Sequence, residues 1–142
     1  MIISFFGHSS YSYCEEDKNR LLELIETVSK GSQIDFYLGG YGNFDSLAKM
    51  CAKRYQQKHT NAKIIFVTPY LSKWLDDRKD YIEKEYDEIL YPELEHTPPK
   101  YAISKRNEWI VRQSDYVFVY VKTHFGGAYN ALLYAAKHNI PY

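Results

Sequence analysis

The stretch Ile34-Asp35-Phe36-Tyr37-Leu38-Gly39-Gly40-Tyr41-Gly42-Asn43-Phe44-Asp45 constrains the fold more than any other part of the chain. It begins as an apolar run of strand length and breaks on three glycines within four positions. A helix-period pattern follows, with Leu47, Met50, Cys51 and Arg54/Tyr55 spaced by threes and fours. A strand that turns on glycine into a helix leaves backbone N–H groups at the C-terminal edge of a sheet. Those donors have no intrahelical partner and sit at the positive end of the helix dipole, so an anion is favoured there. Glycine suits such a turn where φ is positive or where a ligand meets bare backbone.

The same grammar runs through the rest of the sequence. Residues 1–6 form an apolar strand that ends at Gly7-His8-Ser9-Ser10. Ser12 and Glu15 have capping-box spacing, which predicts a helix from near Tyr13, with Leu21, Leu24, Ile25 and Val28 as its buried stripe and Gly31 as its C-cap. Residues 62–67 make a third strand, stopped at Thr68-Pro69. Residues 70–98 read as ordered but irregular, with a short strand within 86–91. Thr97-Pro98-Pro99 opens a helix on which Ala102, Arg106, Trp109/Ile110 and Gln113 share a face. The run Tyr116–Val121 is a strand, and Gly126-Gly127 turns it into a last helix with a small face of Ala128, Ala131, Leu132, Ala135 and Ala136. Residues 139–142 read as the entry to a further strand.

Strands that alternate with helices, each continuously apolar, predict the α/β class: a mainly parallel central sheet covered on both faces. Ligands of such sheets sit beyond the carboxyl ends of the strands, where the strand order switches. The turns at Gly7–Ser10, Gly39–Asn43 and Lys122–Gly127 all belong to that edge. A chain of 142 residues predicts one domain, 1–142.

Charge narrows the partners. Lys+Arg and Asp+Glu both number 18, so the formal charge is zero, which argues against broad nucleic-acid binding and leaves room for a pocket holding one or two phosphates. The 15 tyrosines supply flat amphipathic surface that suits stacking or a protein interface. Cys14 and Cys51 give neither a disulfide framework nor metal spacing, no two histidines have ligand spacing, and no serine elbow or catalytic-cysteine motif occurs. No metal and no cofactor is therefore expected. The N-terminus lacks signal-peptide features and the apolar runs are of strand length, so no membrane partner and a cytoplasmic location are expected.

Taken in order, Gly39-Gly40-Tyr41-Gly42, Arg106-Asn107, Ser114-Asp115 before a strand and Gly126-Gly127-Ala128 after it resemble the SLOG superfamily. These are Rossmann-like proteins related to the Lonely Guy phosphoribohydrolases, DprA and YpsA-type proteins. The resemblance spans nearly the whole chain and implies a Rossmann-like three-layer sandwich, a nucleotide or nucleotide-derived ligand with its phosphate on one glycine turn, and a homo-oligomer. It matches Arg106 to the arginine of the Lonely Guy helix. Ala128 stands where those enzymes carry threonine, and Asn130 where they carry the catalytic glutamate. An amide cannot offset the positive charge that develops on ribose when an N-glycosidic bond breaks.

The expected ligand-binding residues are thus Gly7, His8, Ser9, Gly39, Gly40, Tyr41, Gly42, Asn43, Asp45, Arg106, Asn107, Gly126, Gly127, Ala128 and Asn130. Arg106 offers a planar fork to phosphate, Tyr41 a ring to a base, and Asp45 a carboxylate to ribose hydroxyls or to the helix dipole. The leading expectation is a protein that binds or senses a small nucleotide without turnover. The alternative is a hydrolase or transferase at the N-glycosidic bond, with Arg106, Glu108 and Asp45 as catalytic candidates. A protein-interaction module built on exposed tyrosines is the third.

Overall fold

Five apolar segments pair into one sheet, and each segment is a strand because its side chains find an apolar layer on both faces. The computed structural model describes residues 1–142. Its strands are β1 (Ile2–Gly7), β2 (Asp35–Leu38), β3 (Lys63–Val67), β4 (Glu88–Leu90) and β5 (Tyr116–Tyr120). Helices α1 (Glu15–Ser29), α2 (Asn43–Lys58), α3 (Lys73–Asp76), α4 (Lys79–Glu85), α5 (Ala102–Gln113) and α6 (Gly127–Lys137) connect or follow them. All pairings are parallel, in the order β4-β3-β2-β1-β5. The chain steps outward from β1 through β4 and returns to the other side of β1 as β5, so the order reverses beside β1.

Alternate strand residues feed two separate cores. Ile3, Phe5, Phe36, Leu38 and Ile64 pack against Leu21 and Ile25 of α1 and Leu47, Cys51 and Tyr55 of α2. Phe6, Tyr37, Ile65, Val67 and Val117 face Ile110 and Val111 of α5 and Ala128, Ala131 and Ala135 of α6. Phe5 stacks between Phe36 and Phe118, with ring centroids 6.0 and 5.7 Å away. The small face of α6 brings its backbone close to the sheet, which sets the position of its N-terminus.

Two aspartates fix strand register by the same device. Asp115 accepts from the Ile2 N–H at 2.7 Å while its own N–H donates to the Ile2 carbonyl, locking β5 to β1. Asp87 repeats this on Ile64, locking β4 to β3. Ser114 hydrogen-bonds Ser4 at 2.7 Å inside the core. The Ser114-Asp115 pair therefore holds strands together and lies at the sheet edge opposite the glycine turns.

Three expectations change. Helix α1 starts at Glu15, two residues after the expected position, because Asp17 and not Glu15 reaches back, accepting from the Cys14 N–H and from the hydroxyl of the buried Tyr11. The stretch 70–98 holds two short helices: Ser72 caps α3, and α4 buries Ile82 against Phe66 and Leu75. Residues 139–142 form no strand, although the Pro141 carbonyl accepts from Val117 N–H on the open edge of β5. No helix is long and apolar enough to cross a membrane.

Candidate functional site

The three turns that follow β1, β2 and β5 meet at one crevice of about 540 Å³. Gly7, His8, Ser9 and Ser10 form one wall; Gly39, Tyr41 and Asp45 a second; Lys122, Thr123, Phe125, Gly126, Gly127 and Ala128 a third; and Arg106 and Asn107 of α5 line it as well. The crevice lies at the carboxyl ends of the strands, at the reversal of strand order, as expected for this architecture.

The two glycine turns are not equivalent. In the first, the Tyr41 N–H donates to Asp45 Oδ2 at 2.9 Å and the Asn43 N–H to the Ser9 carbonyl at 3.0 Å, so these two donors are met within the chain, and the α2 ladder starts with the Ser46 N–H on the Gly42 carbonyl. Its glycines answer to packing: a Cβ on Gly40 would lie 2.3 Å from the Phe66 ring, and one on Gly42 2.7 Å from Ser9 Cα. The second turn is open. Gly126 has φ +93 with nothing near its missing Cβ, and the first helical amides of α6 precede the Asn130 N–H, which makes the first intrahelical bond, to the Gly126 carbonyl. The first turn of α6 carries no acidic side chain, whereas that of α2 carries Asp45, so the second turn is the one suited to an anion.

Arg106 is the charged side chain that the fold buries, at 6% exposure. Its Nη1 donates to the Val67 carbonyl at 3.0 Å and the Gly39 carbonyl at 3.3 Å, joining the ends of β3 and β2, and its Nε donates to Asn107 Oδ1 at 3.1 Å. Nη2 makes no hydrogen bond within the chain. Every fully buried side-chain polar atom has a partner, so Nη2 is not sealed off, and Arg106 borders both the crevice and a neighbouring cavity. The Asn107 amide nitrogen is likewise unbonded and faces Gly127, 3.8 Å from where a Cβ would stand. Burial lowers the Arg106 pKa, with Asp45 opposing the shift, and the group stays cationic. Burial pushes the Asp45 carboxyl up to about 6, against the pull of the Tyr41 amide, the Arg106 charge and the Gly40 amide.

The remaining expected residues separate by position. His8 Nε2 accepts from the Lys122 N–H at 2.8 Å, so its ring ties the β1 turn to the β5 turn. Gly40 faces a neighbouring cavity, and Gly42, Asn43 and Asn130 do not line the crevice. Glu108 also lies off the crevice and pairs with Lys105 at 3.3 Å. The sequence reading missed Lys122 and Phe125. Both sit in the Lys122–Gly127 turn, and an aromatic residue directly before a glycine pair was the available signal. Tyr41 is 79% and Phe125 73% exposed, so two rings stand free at the crevice walls.

Comparison with solved structures places this architecture. The chain superposes on DNA processing protein A from Helicobacter pylori with a TM-score of 0.66 and 19% identity, over 99% of its own length and 63% of that chain. The fold is Rossmann-like. The chain thus spans a little under two thirds of that neighbour, a protein described for its single-stranded DNA binding mode. In sequence it is 28% identical over 139 residues to the uncharacterized SPbeta prophage-derived protein YoqJ of Bacillus subtilis (strain 168), covering 84% of this chain and 80% of that protein. No family model matches the chain.

This neighbour corrects two expectations. A small-nucleotide sensor does not match a fold neighbour that binds single-stranded DNA, and the glycosidic-bond enzyme does not match it either. The exclusion of nucleic acid falls with them. It rested on a net charge of zero, which sums the whole surface, whereas a single strand needs only a local lane of cations, amides and aromatic faces.

Proposed function

We propose that residues 1–142 act as one SLOG-type domain that binds single-stranded nucleic acid in the crevice at the carboxyl ends of the strands. The neighbour that supports this reading belongs to the superfamily that the sequence resembles. A backbone phosphate lies on the open α6 N-terminus and accepts from the Gly127 and Ala128 amides, Arg106 Nη2 and the Asn107 amide, with Lys122 adding charge. Bases on either side of it stack on Tyr41 and Phe125, which a duplex could not offer because its bases face one another. Asp45 opposes the phosphate and holds the first glycine turn closed.

The observation that carries this reading is the pair of free rings beside a buried, half-bonded arginine and unpaired amides. A fluorescently labelled oligothymidylate, followed by anisotropy across a salt series, tests it. The expected result is binding to the single strand well above duplex, with log K falling against log salt at a slope of about −0.7 for the one neutralised single-strand phosphate. Arg106→Gln and Lys122→Gln should each weaken binding about tenfold, ~1.4 kcal/mol. Equal affinity for duplex, or no binding below about millimolar, overturns the reading.

A further inference from the structure

The turn that brings Lys122 and Phe125 to the crevice is tied to the rest of the molecule by one hydrogen bond, from the Lys122 N–H to Nε2 of His8 at 2.8 Å. The only other hydrogen bond of residues 122–125 stays inside the turn, from the Thr123 hydroxyl to the Phe125 carbonyl at 3.4 Å. A side chain acts here in place of backbone. Amides alternate in direction along a strand, and that of Val117 points outward to the Pro141 carbonyl, so the Lys122 amide, an odd number of residues on, points towards β1. The His8 carbonyl is already taken by the Tyr11 N–H at 3.1 Å, where the chain turns away after β1, and the imidazole accepts instead. Its ring stands edge-on to Tyr120, with planes at 85° and centroids 6.4 Å apart, and Tyr120 is wedged against Tyr11 at 4.3 Å.

An imidazole nitrogen that accepts carries no proton. In the neutral ring the proton therefore sits on Nδ1, while the other tautomer and the imidazolium would each set two donors face to face at 2.8 Å. The titratable groups around the ring come from every neighbouring element. Lys122 lies beside it with its ammonium 5.9 Å over Tyr120, Arg106 comes from α5, and Tyr41 and Asp45 come from the first glycine turn and α2. Asp45 is the one carboxylate lining the crevice, and it accepts from the Tyr41 amide. None of these side chains hydrogen-bonds the ring, so the Lys122 N–H is the group that fixes where its proton sits.

We propose that His8 is a positioning residue for the crevice: its neutral ring, protonated on Nδ1, holds the β5 turn through the Lys122 amide, and a second proton releases that turn. The latch stands on the geometry of the ring, and its effect on affinity rests on the strand-binding reading. The imidazolium left after release adds a positive charge to the crevice and offsets the lost order for an anion, so the state of the turn, and not affinity at acid pH, reports the latch.

Nitrogen-15 spectra of the full chain without strand, titrated between about pH 8 and pH 5 where imidazole changes charge, test this. At the alkaline end the His8 ring should show a bare Nε2 and a protonated Nδ1. As the ring gains its second proton, the Lys122 amide should shift in step, and its hydrogen exchange, corrected for intrinsic pH dependence, should speed up about tenfold. His8→Gln sets a carboxamide oxygen near the place of Nε2 and cannot titrate, so Lys122 should stay protected throughout. His8→Ala should leave Lys122 exchanging fast at every pH and, at the alkaline end, weaken oligothymidylate binding about three- to tenfold, a loss that glutamine should largely restore. The latch is overturned by a proton on Nε2 at the alkaline end, or by a Lys122 amide indifferent to the His8 titration. It is also overturned by an amide that still titrates in His8→Gln, where His124 remains, or by equal loss of affinity in the alanine and glutamine variants. If the latch titrates as stated but the wild type binds no strand, the strand-binding reading falls and the latch stands. Should His8→Ala fail to fold by circular dichroism, the wild type and His8→Gln decide alone.

Discussion

Asp45 is the residue whose replacement reports most on the crevice. Its Oδ2 accepts from the Tyr41 N–H at 2.9 Å, and burial raises its pKa from 3.8 to about 6. A carboxyl whose folded pKa lies above its unfolded one is favoured by folding while protonated. Its contribution is therefore present in full below about pH 4 and lost as pH rises through about 6. At 1.36 kcal/mol for each pH unit, the rise corresponds to about 3 kcal/mol that the ionised carboxylate costs at neutral pH. Asp45→Asn keeps an oxygen for the Tyr41 amide and removes the charge, although Arg106 then loses a nearby anion. The expected net gain is about 1–3 kcal/mol at pH 7, shrinking towards zero near pH 4. Urea unfolding of both proteins across this range, read by circular dichroism, gives the difference with other titrating groups cancelled. A difference that does not vary with pH, or a variant less stable at neutral pH, refutes the argument. The same carboxylate repels phosphate, so strand affinity of the wild type should rise on acidification through about pH 6, and Asp45→Asn should show the higher affinity already at neutral pH.

Three further outcomes follow from the geometry. Gly126→Ala puts a side chain at φ +93, a region that glycine alone adopts easily, and should cost about 1–3 kcal/mol and at least tenfold in strand affinity, by thermal melting and anisotropy. Gly7→Ala sets a Cβ 2.1 Å from the Phe44 ring, so α2 must shift, and should lower stability by about 1–3 kcal/mol in urea titration. Asp115→Ala removes the acceptor for the Ile2 amide and should destabilise by about 1–3 kcal/mol without changing affinity once the protein is folded.

Much of the fold was legible because both faces of the sheet are covered, so Ile64–Val67 and Tyr116–Val121 show as unbroken apolar runs. The edge on which the turns gather followed from strand polarity alone. The state of each turn did not. Whether amides at Gly39–Asn43 are free depends on where Asp45 and Ser9 come to rest, and that is set by tertiary contact. Helices α3 and α4 were hidden because each buries one main apolar residue, Leu75 and Ile82, too few to show a period. Arg106 was legible as a charge on an apolar face, but its binding of the Val67 and Gly39 carbonyls was not. The whole-chain charge misled because Arg106 and Lys122 converge in space while the compensating acids lie elsewhere, Asp45 excepted.

The central claim is that a strand docks where α6 begins, and backbone amide shifts in an isotopically labelled sample, recorded while oligothymidylate is added, test it most directly. The account expects the largest shifts at Gly126 to Tyr129 and Lys122, with smaller ones at Gly42 and Asn43, whose amides are committed or lie off the crevice. Shifts gathered at the opposite edge of the sheet, around Asp87 and Asp115, would contradict it.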